Sequence, residues 1–226
     1  MLDTACRFQE LVPGSTLVGG CAAIYYAEHR LSFDADHWKT NLIPIFDDTR
    51  DLLESTQGWE TEWAKQPYSL LGRLNGVKVG VREMSRAAPL ELITIDYKGK
   101  KLVIPTEAEI TRIKSMAVIQ RGATRDYLNL AALFEKAGSV KTSDALRDLD
   151  RIYPLENGES ALRLLQSRLS QPKPMDLHKI SLGGYKNVIP KWRKWENIAK
   201  QLTLLAFDLS DSPRLEEKPS SFRPRP

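Results

Sequence analysis

The feature that most limits how this chain can fold is a change of period at Pro105. Before it, "VKVGVREM", "LITIDY" and "KKLVIP" alternate on a two-residue period, separated by Asn75-Gly76 and Lys98-Gly99, dipeptides suited to hairpin turns. After it, apolar residues recur every three or four positions. "PTEAEITRIKSMAVIQRG" opens with Thr106 and Glu109 spaced as a capping box and stops at Gly122. "TRDYLNLAALFEKAG", "TSDALRDLDRIYP", "GESALRLLQSRLS" and "IPKWRKWENIAKQLTLLAFDL" continue the helical period. Strands first and helices after predict an α+β chain. Residues 1–104 are expected to form an α/β core with a mixed sheet, and 105–209 a helical domain. Residues 210–226, rich in Pro, Ser and charge, read as a disordered tail.

Composition narrows the function classes. The chain has 226 residues and no run of about 18 apolar ones, so no membrane span is expected. "MLDTACRFQELVPG" lacks the basic start and apolar stretch of a secretory signal. Cys6 and Cys21 are too few for a disulfide framework or a zinc site, which fits a reducing cytoplasm. A net charge of +4 permits a nucleic-acid or nucleotide partner without requiring one.

The chemistry concentrates in "STLVGGCAAIYYAEHRLSFDADHW". A buried strand ends in Gly19-Gly20, a helix follows, and Leu31–Trp38 reads as a second strand. On a strand, Ser32, Asp34 and Asp36 share one side. Adjacent carboxylates repel unless a cation neutralises them, and hard divalent ions prefer oxygen ligands. The glycines let a phosphate approach backbone N–H groups at a helix start. Without them, an exposed edge strand would explain the two aspartates as well. Asp96, in "LITIDY", is expected to complete a set of three carboxylates.

These residues resemble the first motif of the AbiEii/AbiGii-type nucleotidyltransferases of the DNA polymerase β-like superfamily: a Gly-Gly turn, a helix, then Ser-x-Asp-x-Asp. "PTEAEITRIKSMAVIQRGATRDYLNLAALFEK" resembles their second: a helix with a lysine, a basic residue, then a basic-Asp pair opening the next helix. The resemblance covers roughly Ser15 to Lys136. It implies a polymerase β-like core that transfers a nucleoside monophosphate from an NTP, with Mg²⁺ or Mn²⁺. Asp34 and Asp36 would be catalytic metal ligands, and Asp96 the third carboxylate, a metal ligand or the general base for the attacking hydroxyl. Gly19, Gly20 and Ser32 would hold the triphosphate, and Lys114, assisted by Arg121 or Arg125, would reach its phosphates. Asp126 would fix Lys114 or Arg125.

The acceptor implied is RNA such as tRNA, in a toxin–antitoxin or phage-defence setting with a cognate antitoxin. The alternatives are a small-molecule transferase of the antibiotic-modifying kind and a non-catalytic nucleotide- or RNA-binding module. Three departures from the pattern stand out: Arg125 for the frequent Lys, Asn129 for a second Asp, and the small Ala35 between the aspartates. Lys191, Arg193 and Lys194 are the candidate RNA-phosphate surface, and Trp192 and Trp195, at helical spacing, are expected in the core.

Overall fold

The computed structural model describes residues 1–86 and 88–211. The chain opens with α1 (Leu2–Leu11), then β1 (Ser15–Leu17), α2 (Gly19–Ala27), β2 (Ala35–Lys39) and α3 (Phe46–Glu54). Next come β3 (Trp59–Lys65), β4 (Ser69–Leu74), β5 (Val77–Glu83) and the hairpin β6 (Leu92–Tyr97) and β7 (Lys100–Pro105). The helical part holds α4 (Glu107–Gln120), α5 (Thr124–Ala137), α6 (Ser139–Leu146), α7 (Leu149–Ile152), α8 (Ala161–Ser170) and α9 (Trp195–Asp211). This is the expected α+β order, with a mixed sheet first and helices after.

The main sheet runs β1-β2-β5-β4-β3; β2 and β5 are parallel and the other pairs antiparallel. Alternation gives it two unlike faces. One face, carrying Ala35, His37, Leu70, Val79 and Val81, packs with Phe8 of α1 and with Phe46 and Leu53 of α3. The His37 ring lies 4.7 Å from that of Phe8. The helix α1 itself carries no motif in the sequence; its buried Ala5, Cys6 and Phe8 explain its place beneath the sheet. The other face carries Asp36 and Trp38 on β2, beside Gly80 and Arg82 on β5.

Three apolar clusters organise the chain. One lies under the main sheet and takes in Leu102 and Ile104 of β7. A second fills the space between α4, α5, α8 and α9. A third joins Val18, Ala22 and Ala23 near α2 to Ile110 and Ile113 of α4 and Leu133 of α5, so the two halves share a core. Buried charges add a further tie. Arg86 and Glu109 pair at 2.7 Å, and Arg112 reaches Glu91 at 2.7 Å, fastening the segment after β5 to α4. Thr106 caps α4 as the sequence predicts, accepting from Glu109 N–H at 3.2 Å.

Some expectations are corrected. The strand read over Leu31–Trp38 is shorter: β2 begins at Ala35. Residues 29–34 are an irregular approach, tied by two backbone bonds to the last third of the chain. Leu31 N–H donates to the Lys186 carbonyl at 2.9 Å, and Ile189 N–H donates to that of His29 at 3.1 Å. The single helix expected from Ile189 onward is a 3-10 turn, Pro190–Arg193, followed by α9. Trp192 is 1 % exposed, in the core as expected. Helix α9 continues through Ser210 and Asp211, where the tail was expected to start; the rest of that tail, 212–226, lies outside the described residues.

Candidate active site

The N-terminus of α2 meets β2 at the glycine pair. Gly19 has φ +71°, a left-handed conformation natural to glycine, and a Cβ there would sit 2.8 Å from Asp36 Oδ2. At Gly20 a Cβ would lie 2.8 Å from both Arg30 Nη2 and Ser32 Oγ. Any side chain at either position would therefore displace the groups that the helix start faces. The Asp34 carbonyl accepts from Cys21 Sγ at 2.7 Å, which fastens the first aspartate to the same helix turn. Asp34 is exposed and Asp36 half-buried, with the buried Ala35 between them. The small Ala35 thus belongs to the core side of the strand.

Across from these carboxylates stands α4. Lys114 is 3 % exposed. Burial pushes its ammonium down to about 8, with Arg121 and Arg30 acting in the same direction and Asp126 and Asp36 opposing. Asp126, wholly buried, accepts two bonds from Arg121: Nε to Oδ2 at 2.6 Å and Nη2 to Oδ1 at 2.7 Å. Its hydrogen-bonded partner is therefore Arg121, not Arg125, and it bears on Lys114 through charge alone. Arg125 is exposed on the first turn of α5.

Arg30 is a member of this cluster that the sequence reading missed. Its Nε donates to Asn129 Oδ1 at 3.3 Å, beside a 2.9 Å bond between Asn129 and His29 Nε2. Burial pushes His29 down to about 4, so this ring is neutral near pH 7. The signal was present: Arg30, Ser32, Asp34 and Asp36 follow one another at two-residue spacing. Asn129, where the motif's second aspartate would stand, serves as a neutral acceptor for both neighbours.

Asp96 is not brought to this place. It sits at the tip of the β6–β7 hairpin, in a separate sheet, where its Oδ1 accepts from Gly99 N–H at 2.9 Å and Lys101 lies 3.9 Å away. An Asp closing its own turn needs no metal to explain it. On β5, the residue in register with Asp36 is Gly80, so that neighbour supplies no carboxylate either. Among the described residues no group of three His, Cys, Asp or Glu side chains forms a metal cluster. Asp34 and Asp36 are nonetheless a donor set that fits Mg²⁺, which is usually held by one or two carboxylates together with substrate phosphates.

The remaining sequence candidates lie elsewhere. Lys191 pairs with Glu135 near the far end of α5, and Arg193 Nε donates to the Val188 carbonyl. Glu135 lies nine positions after Asp126 on the same helix, roughly 13 Å at the usual rise. A cavity of about 310 Å³ opens between α4 and α6, lined by Glu107, Thr111, Arg112, Lys141 and Asp144. None of its lining residues belongs to the glycine–aspartate cluster.

No family model matches the chain. Over 132 residues it is 26 % identical to a heme uptake protein MmpL11 of Mycobacterium tuberculosis, covering 57 % of this chain and 13 % of that protein. Over 105 residues it is 30 % identical to a mycolic acid-containing lipids exporter MmpL11 of Mycolicibacterium smegmatis, covering 45 % and 11 %. The chain thus spans about an eighth of the length of these curated relatives. No helix among the described residues is long and apolar enough to cross a membrane.

Among solved structures, the antibiotic-resistance factor ANT(2″)-Ia bound to adenylyl-2″-tobramycin overlaps with a TM-score of 0.49 at 10 % identity, over 66 % of this chain and 95 % of that one. An antigenic nucleotidyltransferase-like protein from Paracoccidioides brasiliensis overlaps with a TM-score of 0.45 at 17 % identity, over 66 % and 84 %.

Proposed function

We propose that the chain is a nucleotidyltransferase that moves a nucleoside monophosphate from an NTP to an RNA acceptor. One observation carries the reading: the Asp36 carboxylate lies against Gly19 at the start of a helix, with Lys114 and Arg121 close enough to act on it electrostatically. A carboxylate beside a glycine-lined helix start and paired cations suits a polyphosphate that arrives with a divalent ion.

In this reading the free N–H groups of the first α2 turn and Ser32 Oγ hold phosphate oxygens. Arg30 binds alongside them, and Asp34 and Asp36 hold Mg²⁺. That ion would neutralise charge on the transferring phosphoryl group. Lys114 supplies a compact positive charge from a water-poor position, where it acts more strongly than at the surface. Asp126 holds Arg121 where it acts on Asp36 through charge. Two free buried cysteines, Cys6 and Cys21, suit a reducing cytoplasm. A toxin role restrained by an antitoxin is the setting that the motif resemblance suggests.

The test is incubation of the purified protein with Mg²⁺, each labelled NTP in turn, and either total tRNA or a panel of aminoglycosides. Label in the tRNA band is the expected result. Label on an aminoglycoside alone would favour the small-molecule reading. Mg²⁺-dependent NTP binding without transfer to either would favour a non-catalytic module.

A further inference from the structure

On the face that carries Asp36, no helix among the described residues packs extensively over the strands past β2; α1 and α3 pack against the opposite face. The pairing register fixes what this open face presents. In register with Asp36 stands Gly80 on β5, then Leu71 on β4, then Trp63 on β3. A Cβ at Gly80 would meet Leu71 Cδ2 at 2.2 Å, so the leucine side chain lies across the glycine toward Asp36. Trp63 is 49 % exposed. The row is a short apolar path ending in an indole, about 14 Å from Asp36 at ordinary strand spacing.

The flanking rows differ in charge. On one side Glu62 answers both Arg73, at 2.7 Å, and Lys78, at 3.9 Å. On the other, Arg82 pairs in register with Ser69, and Ser69 with Lys65. Arg82 and Lys65 are exposed and have no ion pair among the described residues. Lys65 lies 5.9 Å from the ring of an exposed Tyr68.

We infer that this face is the acceptor platform, and that its occupant is the single-stranded end of a nucleic acid. The bases would stack along Leu71 and Trp63, and the phosphates would follow Arg82 and Lys65. A sheet with an exposed aromatic beside unpaired cations is the arrangement that single strands use, since every base offers a flat face and every phosphate a negative charge. A polycationic small acceptor would meet repulsion on the Arg82–Lys65 side. The assignment rests on the nucleotidyl-transfer reading for its direction, because the path leads to Asp36. The platform is tested by binding alone.

The experiment measures anisotropy of a fluorescent oligoribonucleotide of roughly 10 nucleotides, a span suited to one such surface. The intact chain is compared with Trp63→Ala and Arg82→Glu/Lys65→Glu. Folding is checked by circular dichroism, and nucleotide binding by the thermal shift with Mg²⁺ and ATP. Trp63→Ala is expected to weaken oligonucleotide binding by about tenfold, the scale of one lost base stack. The double charge reversal should weaken it further and flatten its salt dependence, by about 0.7 in log–log slope per lost phosphate contact. Both variants should keep the ATP-dependent shift. Equal binding by all three proteins would overturn the platform, as would preference for the same sequence in duplex form. Failure of the intact chain to bind any single strand, with the ATP shift intact, would overturn the platform while leaving nucleotidyl transfer standing. Loss of the ATP shift in the intact chain would instead defeat the transfer reading, and the oligonucleotide data would still decide the platform.

Discussion

Arg121 holds Asp126 by two parallel hydrogen bonds, its guanidinium half in water while the carboxylate is wholly buried. The pair satisfies an acid inside the helical core, and in the proposed reading it would also keep a cation near the carboxylate site on β2. Asp126→Asn should break the fork and leave buried Lys114 with less opposing charge. Breaking a fully buried pair costs about 3–5 kcal/mol; with Arg121 half exposed, a loss of about 2 kcal/mol is expected. Urea denaturation checks it. A change within experimental error would mean that the fork contributes nothing net.

Lys114→Met separates stability from binding. The substitution keeps an unbranched side chain one atom shorter and removes a desolvated ammonium, so the folded protein should be at least as stable near pH 7. The thermal shift produced by Mg²⁺ and ATP should fall sharply, because that shift reports ligand bound to the folded state. A full shift in a well-folded Lys114→Met protein would remove this lysine from the phosphate site.

The two kinds of aspartate should part company under mutation. Asp34→Asn/Asp36→Asn is expected to abolish the Mg²⁺-dependent part of the nucleotide shift while the protein stays folded. Asp96→Ala should leave the shift intact and cost about 1 kcal/mol, the ordinary worth of the hydrogen bond it makes to its own turn. If Asp96→Ala alone removed the metal dependence, the hairpin would have to approach the site when ligand binds.

Buried histidines make the fold acid-sensitive. His29 and His37 are both pushed by burial from the usual 6.5 down to about 4. Between those values the unfolded chain takes up protons that the folded chain refuses. Their stabilising contribution is complete above about pH 6.5 and is lost as pH falls toward 4. His37→Phe keeps a ring beside Phe8 and should flatten part of this dependence in denaturation midpoints measured across the window. Asn129→Asp should do so from the other side, by giving His29 a charged partner that raises its proton affinity.

The glycine pair, the capping box and the helical period were legible in the sequence because each depends on residues a few positions apart. The same holds for Lys114 and Asp126, which their motif brackets within a dozen residues. Asp96 was misjudged for the opposite reason. "LITIDY" has the pattern of a core strand, and only the pairing of β6 with β7 alone reveals a separate hairpin. Residues 31–34 alternate as a strand should, but their backbone partners lie some 150 positions later, at a distance no local pattern encodes. Arg30 was legible by spacing and overlooked because its neighbours carried the more familiar chemistry.

Those distant partners matter to anyone who would move this site into another protein. The two motifs look like a portable cassette ending near Lys136. Yet the approach to Asp34 is held by the carbonyl of Lys186 and the amide of Ile189, and Arg30 lies 5.8 Å from the Tyr185 ring. A transplant cut at the end of the second motif would carry every named ligand and lose the brace that sets their spacing. The smallest graft that keeps the aspartates in place runs through Ile189.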